Sequence, residues 1–281
     1  MPLEDDFCDI VKKARLGQGQ LVTDIARQAN LSAKAIESLE QGDRLPSAEE
    51  VEAVGQALAL KPQALTDIVL EGWRPATLPS WVDKSIVTIL GDIGGYEVKG
   101  YIVHDRATKQ AVLIDTGYNP EHMLAELNAR ALTLVGICLT HGHTDHAGGL
   151  DRILAEWPVP VYLGNGDSPL LPWKPAPDVL VTPCDAQSIL VGHLTVECLT
   201  TPGHTPGGIC YRVYGYGQDL CFVGDTLFAG SIGRSNPFSL YSMHIKSVRQ
   251  IVLQLPEDTI LLPGHGPATT VREELRYNPF G

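Results

Sequence analysis

LTHGHTDHAGG, residues 139–149, sets His141, His143, Asp145 and His146 within a single turn of chain, directly after the apolar run VGICL. So many polar, mostly titratable groups in one turn are costly to hold together unless something binds them. Imidazole and carboxylate together form the donor set of zinc and neighbouring first-row metals. A His-x-His pair cannot present both rings on one helical face, so the segment reads as a loop that converges two imidazoles on one ion. Asp145 and His146 can then turn toward a second ion. The cluster lies where a strand ends, the usual place for a site in an α/β sheet.

Three more donors follow in loops of similar texture. TPGHTPGG places His204 after the strand-like LTVECLTT, FVGDTLFAGSIGR places Asp225 after DLCFVG, and LLPGHGPATT places His265 after TILL. Glycines flank each of them and let backbone approach without a Cβ in the way. Asp115 ends another strand-like run, in VLIDTG.

Around these loops, residues 82–281 alternate short β-like runs (SIVTIL, YEVKGYIV, AVLID, VGICL, VPVYLG, LTVECL, GICYRVY, DLCFVG, TILLP) with helical stretches. PEHMLAELNARAL and SLYSMHIKSVRQIVLQL are the clearest helices. That texture predicts an α/β domain. Residues 1–72 read differently, as short helices. Ser32 is placed to cap SAKAIESLEQ and Gly42 to stop it. Ser47 and Glu50 have the spacing of a capping box. Lys61–Pro62 opens a last helix. EGWRPATLPSW carries two prolines and two tryptophans without periodicity, and residues 73–81 are expected to be a linker.

Composition narrows the classes. Hydrophobic residues make up 44% and charged residues 19%, an ordinary globular balance. Net charge is −12, with 7 Lys/Arg against 13 Asp/Glu in residues 1–72 and 14 against 20 in 73–281. Neither part advertises itself as a polyanion binder. The six cysteines form no C-x-x-C pair, the start MPLEDD lacks the features of a secretory signal, and no apolar run suits a membrane helix. A cytoplasmic setting is expected.

Five short helices with a tight turn at Ala29–Asn30 resemble the helix-turn-helix domain of the lambda-repressor-like (Xre) regulators over residues 7–70. The resemblance implies DNA as a partner, read by the helix Ser32–Gln41 with Lys34 as its cation. Glu37 and Glu40 on that helix oppose phosphate contact, and partner binding or dimerisation is the competing expectation.

HGHTDH with His204, Asp225 and His265 resembles the metallo-β-lactamase fold superfamily over residues 79–281. GDTLFAGSIGR and the ending HGPATT…EE…NPF are most similar to its glyoxalase II-like (hydroxyacylglutathione hydrolase-like) branch. The resemblance implies an αββα sandwich preceded by the helix-turn-helix domain. It implies two divalent ions, Zn2+ foremost with Fe or Mn as alternatives. One ion falls to His141, His143 and His204 and the other to Asp145, His146 and His265, with Asp225 bridging and Asp115 orienting a ligand from behind. The implied activity is that of a dinuclear metallohydrolase in which a metal-bound hydroxide cleaves a small thioester or related ester or lactone, with Asp145 and Asp225 catalytic. Arg234 and Tyr241 are candidate substrate contacts. His104, His122, His193 and His244 lie outside the motifs and are expected to be structural or surface residues.

Two other expectations compete. A mononuclear Fe(II) persulfide dioxygenase shares this fold and uses two histidines and an aspartate, here His141, His204 and Asp225. Its relatives usually carry a cysteine where this chain has Ser231–Ile232. A one-component DNA-binding regulator, whose metal domain senses or degrades a ligand, is the other. A homodimer is expected from the habits of both resembled families.

Overall fold

The computed structural model describes residues 2–281. The chain begins with five helices: α1 (Phe7–Gly17), α2 (Val22–Gln28), α3 (Ala33–Gln41), α4 (Ala48–Ala57) and α5 (Pro62–Val69). Their ends follow local chemistry. The Ser32 hydroxyl accepts from the Ala35 amide, and Gly42 closes α3 in the left-handed conformation. Ser47 and Glu50 form a reciprocal capping box on α4. On α3, Lys34 and Glu37 face solvent, while Glu40 is paired with Arg15 of α1.

The chain then runs extended to Pro79, and a short helix, α6 (Ser80–Ser85), takes up the end of the stretch expected to be linker. This strap is fastened to the body. Trp73 stacks on Tyr277 with ring centroids 4.6 Å apart, and the Ala76 amide donates to Glu273 at 2.7 Å.

The remainder folds as β1 (Ile86–Ile93), β2 (Tyr96–His104), β3 (Gln110–Ile114), α7 (Pro120–Ala129), β4 (Thr133–Cys138), α8 (Thr144–Ala147), α9 (Leu150–Glu156), β5 (Val161–Tyr162) and β6 (Leu180–Val181). After these come β7 (Ser188–Val191), β8 (Leu194–Thr200), β9 (Ile209–Tyr214), β10 (Leu220–Gly224), α10 (Tyr241–Gln250), β11 (Ile260–Pro263), β12 (Thr269–Thr270) and α11 (Val271–Tyr277). The helical run expected over 239–255 breaks at Ile251, where the backbone leaves helical geometry.

Two mixed six-stranded sheets result, ordered β1-β2-β3-β4-β5-β6 and β12-β11-β10-β9-β8-β7. Alternation along each strand sorts side chains between two interfaces. In β9 and β10, Ile209, Tyr211, Val213, Leu220 and Phe222 point inward. They meet Val103, Val112, Ile114 and Cys138 of the first sheet. Cys210, Cys221 and Val223 point the other way. The outer face of the first sheet is covered by α7 and α9, through Met123, Leu127, Leu150 and Ile153.

The outer face of the second sheet carries more than its own helices. Val248 of α10 and Val271 of α11 pack there. So do Ile10, Ile25, Ile36, Leu39, Val51, Leu58 and Leu65 of the five N-terminal helices, in one continuous core with Cys221, Val223 and Leu261. The helical unit is thus built onto the sandwich. All six cysteines are free thiols, and no helix among the described residues is long and apolar enough to cross a membrane.

One ionisable group sits in this second interface. Glu274 of α11 is fully buried and accepts hydrogen bonds from Thr269 Oγ1, the Gly230 amide and Asn278 Nδ2, tying α11 to the loop that follows β10. Burial pushes its carboxyl from 4.5 up to about 7, against the pull of those donors. The folded chain therefore holds this proton more tightly than the unfolded chain. The resulting stability is fully present below about pH 4.5 and is lost as pH rises through about 7. The unfolding free energy of the wild type relative to Glu274→Gln, from urea titrations, is expected to fall by on the order of 3 kcal/mol between these limits. Parallel pH profiles for the two proteins would contradict the assignment.

Candidate metal centre

Strand ends bring the donors together. The loop after β4 carries His141 and His143 and leads into α8 with Asp145 and His146. The loop after β8 carries His204, Asp225 follows β10, and His265 follows β11. Gly264 permits the approach of this last strand. A Cβ there would stand 2.4 Å from His146 Cε1 and 2.7 Å from Asp225 Oδ1.

The seven side chains form three overlapping clusters whose ligand atoms lie within 4.8 Å of one another: His141, His143 and His204; His141, Asp145 and His146; and His146, Asp225 and His265. Asp225 faces both halves. Its Oδ2 lies 3.5 Å from His204 Nε2, and its Oδ1 lies 3.3 Å from His146 Nε2 and 3.7 Å from His265 Nε2. Asp145 Oδ2 is 3.3 Å from His265 Nε2.

Each ring but one is held from behind. His146 Nδ1 bonds Asp115 Oδ2 at 2.8 Å, His204 Nδ1 donates to the Arg234 carbonyl at 2.8 Å, and His265 Nδ1 to the Glu97 carbonyl at 2.6 Å. His141 Nδ1 lies 3.0 Å from Thr140 Oγ1, whose proton goes to Asp115, so the ring nitrogen is the donor in that pair. These bonds fix the ring orientations and turn Nε2 of all four rings toward the common space. His143, the exception, presents Nδ1, 3.0 Å from His204 Nε2.

The donor set fits a metal. His141 Nε2, His146 Nε2 and Asp225 Oδ1 are buried without a hydrogen-bond partner, and buried polar atoms left bare are costly. An ion would satisfy all three. The charge environment divides the rings into two groups. Burial holds His141 well below its usual range and lowers His204 to about 3, favouring neutral imidazoles. Burial also opposes charge on His146, but the carboxylates of Asp225 and Asp115 outweigh it and raise that ring. For His265 the same contest, with Asp225 and Asp145 prevailing, raises the ring to about 9. Asp225 is driven well below the carboxylate range by His265 and His146, in spite of its burial.

Asp115 ends β3 in a left-handed conformation, φ 56°, which aspartate tolerates better than most residues. It accepts from the Thr140 amide at 2.7 Å and hydroxyl at 2.8 Å as well as from His146. A second brace was not apparent in the sequence. Asp167, fully buried, accepts from the Gly142 amide, Thr205 Oγ1 and the Gly207 amide, joining the His141–His143 loop to the His204 loop. GNGDSP, where it lies, carries only the signal of a polar residue in a loop after a strand.

The donors open into a cleft of about 300 Å³ whose walls include Glu4, Ile93, Tyr96, Phe228 and Arg234. Arg234 therefore lies at the cleft, with its guanidinium carbon 5.9 Å from the Phe238 ring centre. Tyr241, expected as a substrate contact, lies elsewhere. Its ring packs on Gly17 at the end of α1, because an aromatic face on the inner side of α10 finds apolar cover there. His104 and His244 are buried, while His122 and His193 are exposed.

Comparison with known proteins gives a consistent result. The family model described as "Metallo-beta-lactamase superfamily" matches residues 95–265. The hydroxyacylglutathione hydrolase GloC of Haemophilus influenzae is 31% identical over 188 residues, which cover 61% of this chain and 87% of that protein. The crystal structure of BLEG-1 B3 metallo-beta-lactamase is similar over 69% of this chain and 99% of that one, with a TM-score of 0.60 and 32% identity. That of TTHA1623 in a di-iron-bound form is similar over 69% and 100%, with a TM-score of 0.57 and 33% identity.

Asp115 offers a test of the brace. Asp115→Ala is expected to weaken metal retention by about 10- to 100-fold, measured by competition with a chromophoric chelator, with the fold kept by circular dichroism. Unchanged retention would show that the histidines need no such support.

Proposed function

This chain belongs to the metallo-beta-lactamase superfamily, and we propose that within it the chain is a dinuclear hydrolase of small thioesters and related acyl substrates. The observation that carries the reading is the convergence of seven donors with three bare buried atoms among them. His141, His143 and His204 would hold one ion and Asp145, His146 and His265 the other, with Asp225 shared through its two oxygens. When bound, two such ions make deprotonated water available near neutral pH and polarise a scissile carbonyl. The metals are proposed to be zinc, with iron as the alternative that a di-iron relative supports.

The chain's own residues supply the rest. No serine or cysteine lines the cleft, which supports water as the nucleophile. Ile93, Tyr96 and Phe228 offer an apolar seat for an acyl group. The Asp145 carboxylate is held below the usual range by its hydrogen bond to His265, against burial, and so is ionised and able to orient the attacking water. A thiolate leaving group needs no general acid, which favours thioesters over amides. The relative named as a hydroxyacylglutathione hydrolase supports that choice.

Mass spectrometry of protein purified without chelators is expected to find about two divalent ions per chain. Against a panel of thioesters, lactones and β-lactams, thioester hydrolysis is expected to lead, with His143→Ala lowering kcat/KM by at least about 100-fold. Full activity in that variant would sink the mechanism. One iron per chain with oxygen uptake on persulfides would replace it with the dioxygenase reading.

A further inference from the structure

The residues ahead of α1 do not trail into solvent. Asp5 is buried, accepts from Ser231 Oγ at 2.5 Å and pairs with Lys13, and Lys13 Nζ donates onward to the Ile232 carbonyl at 3.0 Å. Ser231 and Ile232 belong to the loop whose Arg234 carbonyl holds His204. This clasp sets Glu4 against the His265 loop, with its backbone nitrogen and Cβ each 3.1 Å from where a Cβ on Gly266 would stand. Glu4 therefore lines the same cleft as Asp145, Asp225 and His265. It belongs to none of the three ligand clusters, so it is a wall residue rather than a donor.

The charges facing the cleft are then sorted. Asp145 and Asp225 are engaged with the imidazoles, Arg234 is a cationic wall, and Glu4 is the remaining carboxylate of the lining, with His265, Lys13 and Lys99 within electrostatic reach. We propose that Glu4 is a specificity-determining residue of the metal site, through which the N-terminal segment selects acyl substrates whose group on that side is neutral or cationic and disfavours those that bring a carboxylate. The physical cause is Coulombic. One unit charge at a partly solvated rim changes the affinity for another by a modest factor. The favoured substrate class is an acyl compound bearing an amine or an uncharged polar group, in preference to a thioester with an acidic carrier at that wall.

The inference rests on the metallohydrolase reading, and binding of simple thiols separates the two, because a thiolate seeks the metals whatever the reaction. Calorimetry on metal-loaded protein would compare mercaptopropionate, mercaptoethanol and cysteamine in the wild type, Glu4→Gln and Glu4→Lys. The affinity ratio of mercaptopropionate to mercaptoethanol is expected to rise roughly threefold to tenfold in Glu4→Gln and further in Glu4→Lys, while that of cysteamine to mercaptoethanol falls. Glu4 is exposed, so the glutamine variant tests the idea even if the lysine variant folds poorly. Ratios that stay constant while the thiols still bind would overturn the role of Glu4 alone. Failure of all three thiols to bind the wild type would overturn the metal centre and the selection built on it.

Discussion

The Asp115 carboxylate is the point on which the site hangs. It is buried, and its two oxygens take the Thr140 amide and hydroxyl and the His146 ring, so both ends of the loop after β4 are bound to one group at the end of β3. Without it the His141–His146 loop would leave the end of β4 with no fixed direction, and the lone pairs of its rings would not meet. Asp167 repeats the device across the sandwich, linking the first sheet's loop to the second sheet's. A carboxylate buried this well is tolerable because three donors meet each of the two, with at least one on every oxygen. That satisfaction turns two carboxylates into rigid supports for a cluster that would otherwise repel itself.

The second dependence is apolar. Cys210, Cys221, Val223 and Leu261 of sheet two share one buried cluster with α10, α11 and the N-terminal helices, which cover that face together. Burial at roughly 25 cal/mol per Å² makes such a shared face a large term in folding. The Asp5–Lys13–Ser231 clasp adds polar direction to it at the edge nearest the metal site.

Much of the site was legible because its donors are clustered in short motifs. His141 to His146 announce themselves by density, and His204, Asp225 and His265 by glycine-flanked loops after apolar runs. The caps at Ser32 and Ser47 were equally readable, since capping is settled within four residues. What could not be read depends on distance in sequence. Asp167 bonds loops that only the folded sandwich brings together, and Glu4 meets the His265 loop from the opposite end of the chain. β6 and β12, at two residues each, are too short for alternation to reveal. Tyr241 was a candidate substrate contact, yet the face of α10 it occupies turns toward α1. The merging of helices and sandwich into one core was hidden as well, because an amphipathic helix records that it has a buried face but not which surface buries it.

The shared core also fixes a geometry. A reader of another macromolecule is commonly hung from an enzyme on a loose tether, so that the two search space separately and the tether's length sets how often they meet. Here α3 and the metal cleft are carried on two faces of one continuous core. The helical unit is a rigid extension of the sandwich, and its distance from the cleft is set by packing and not by the length of a tether.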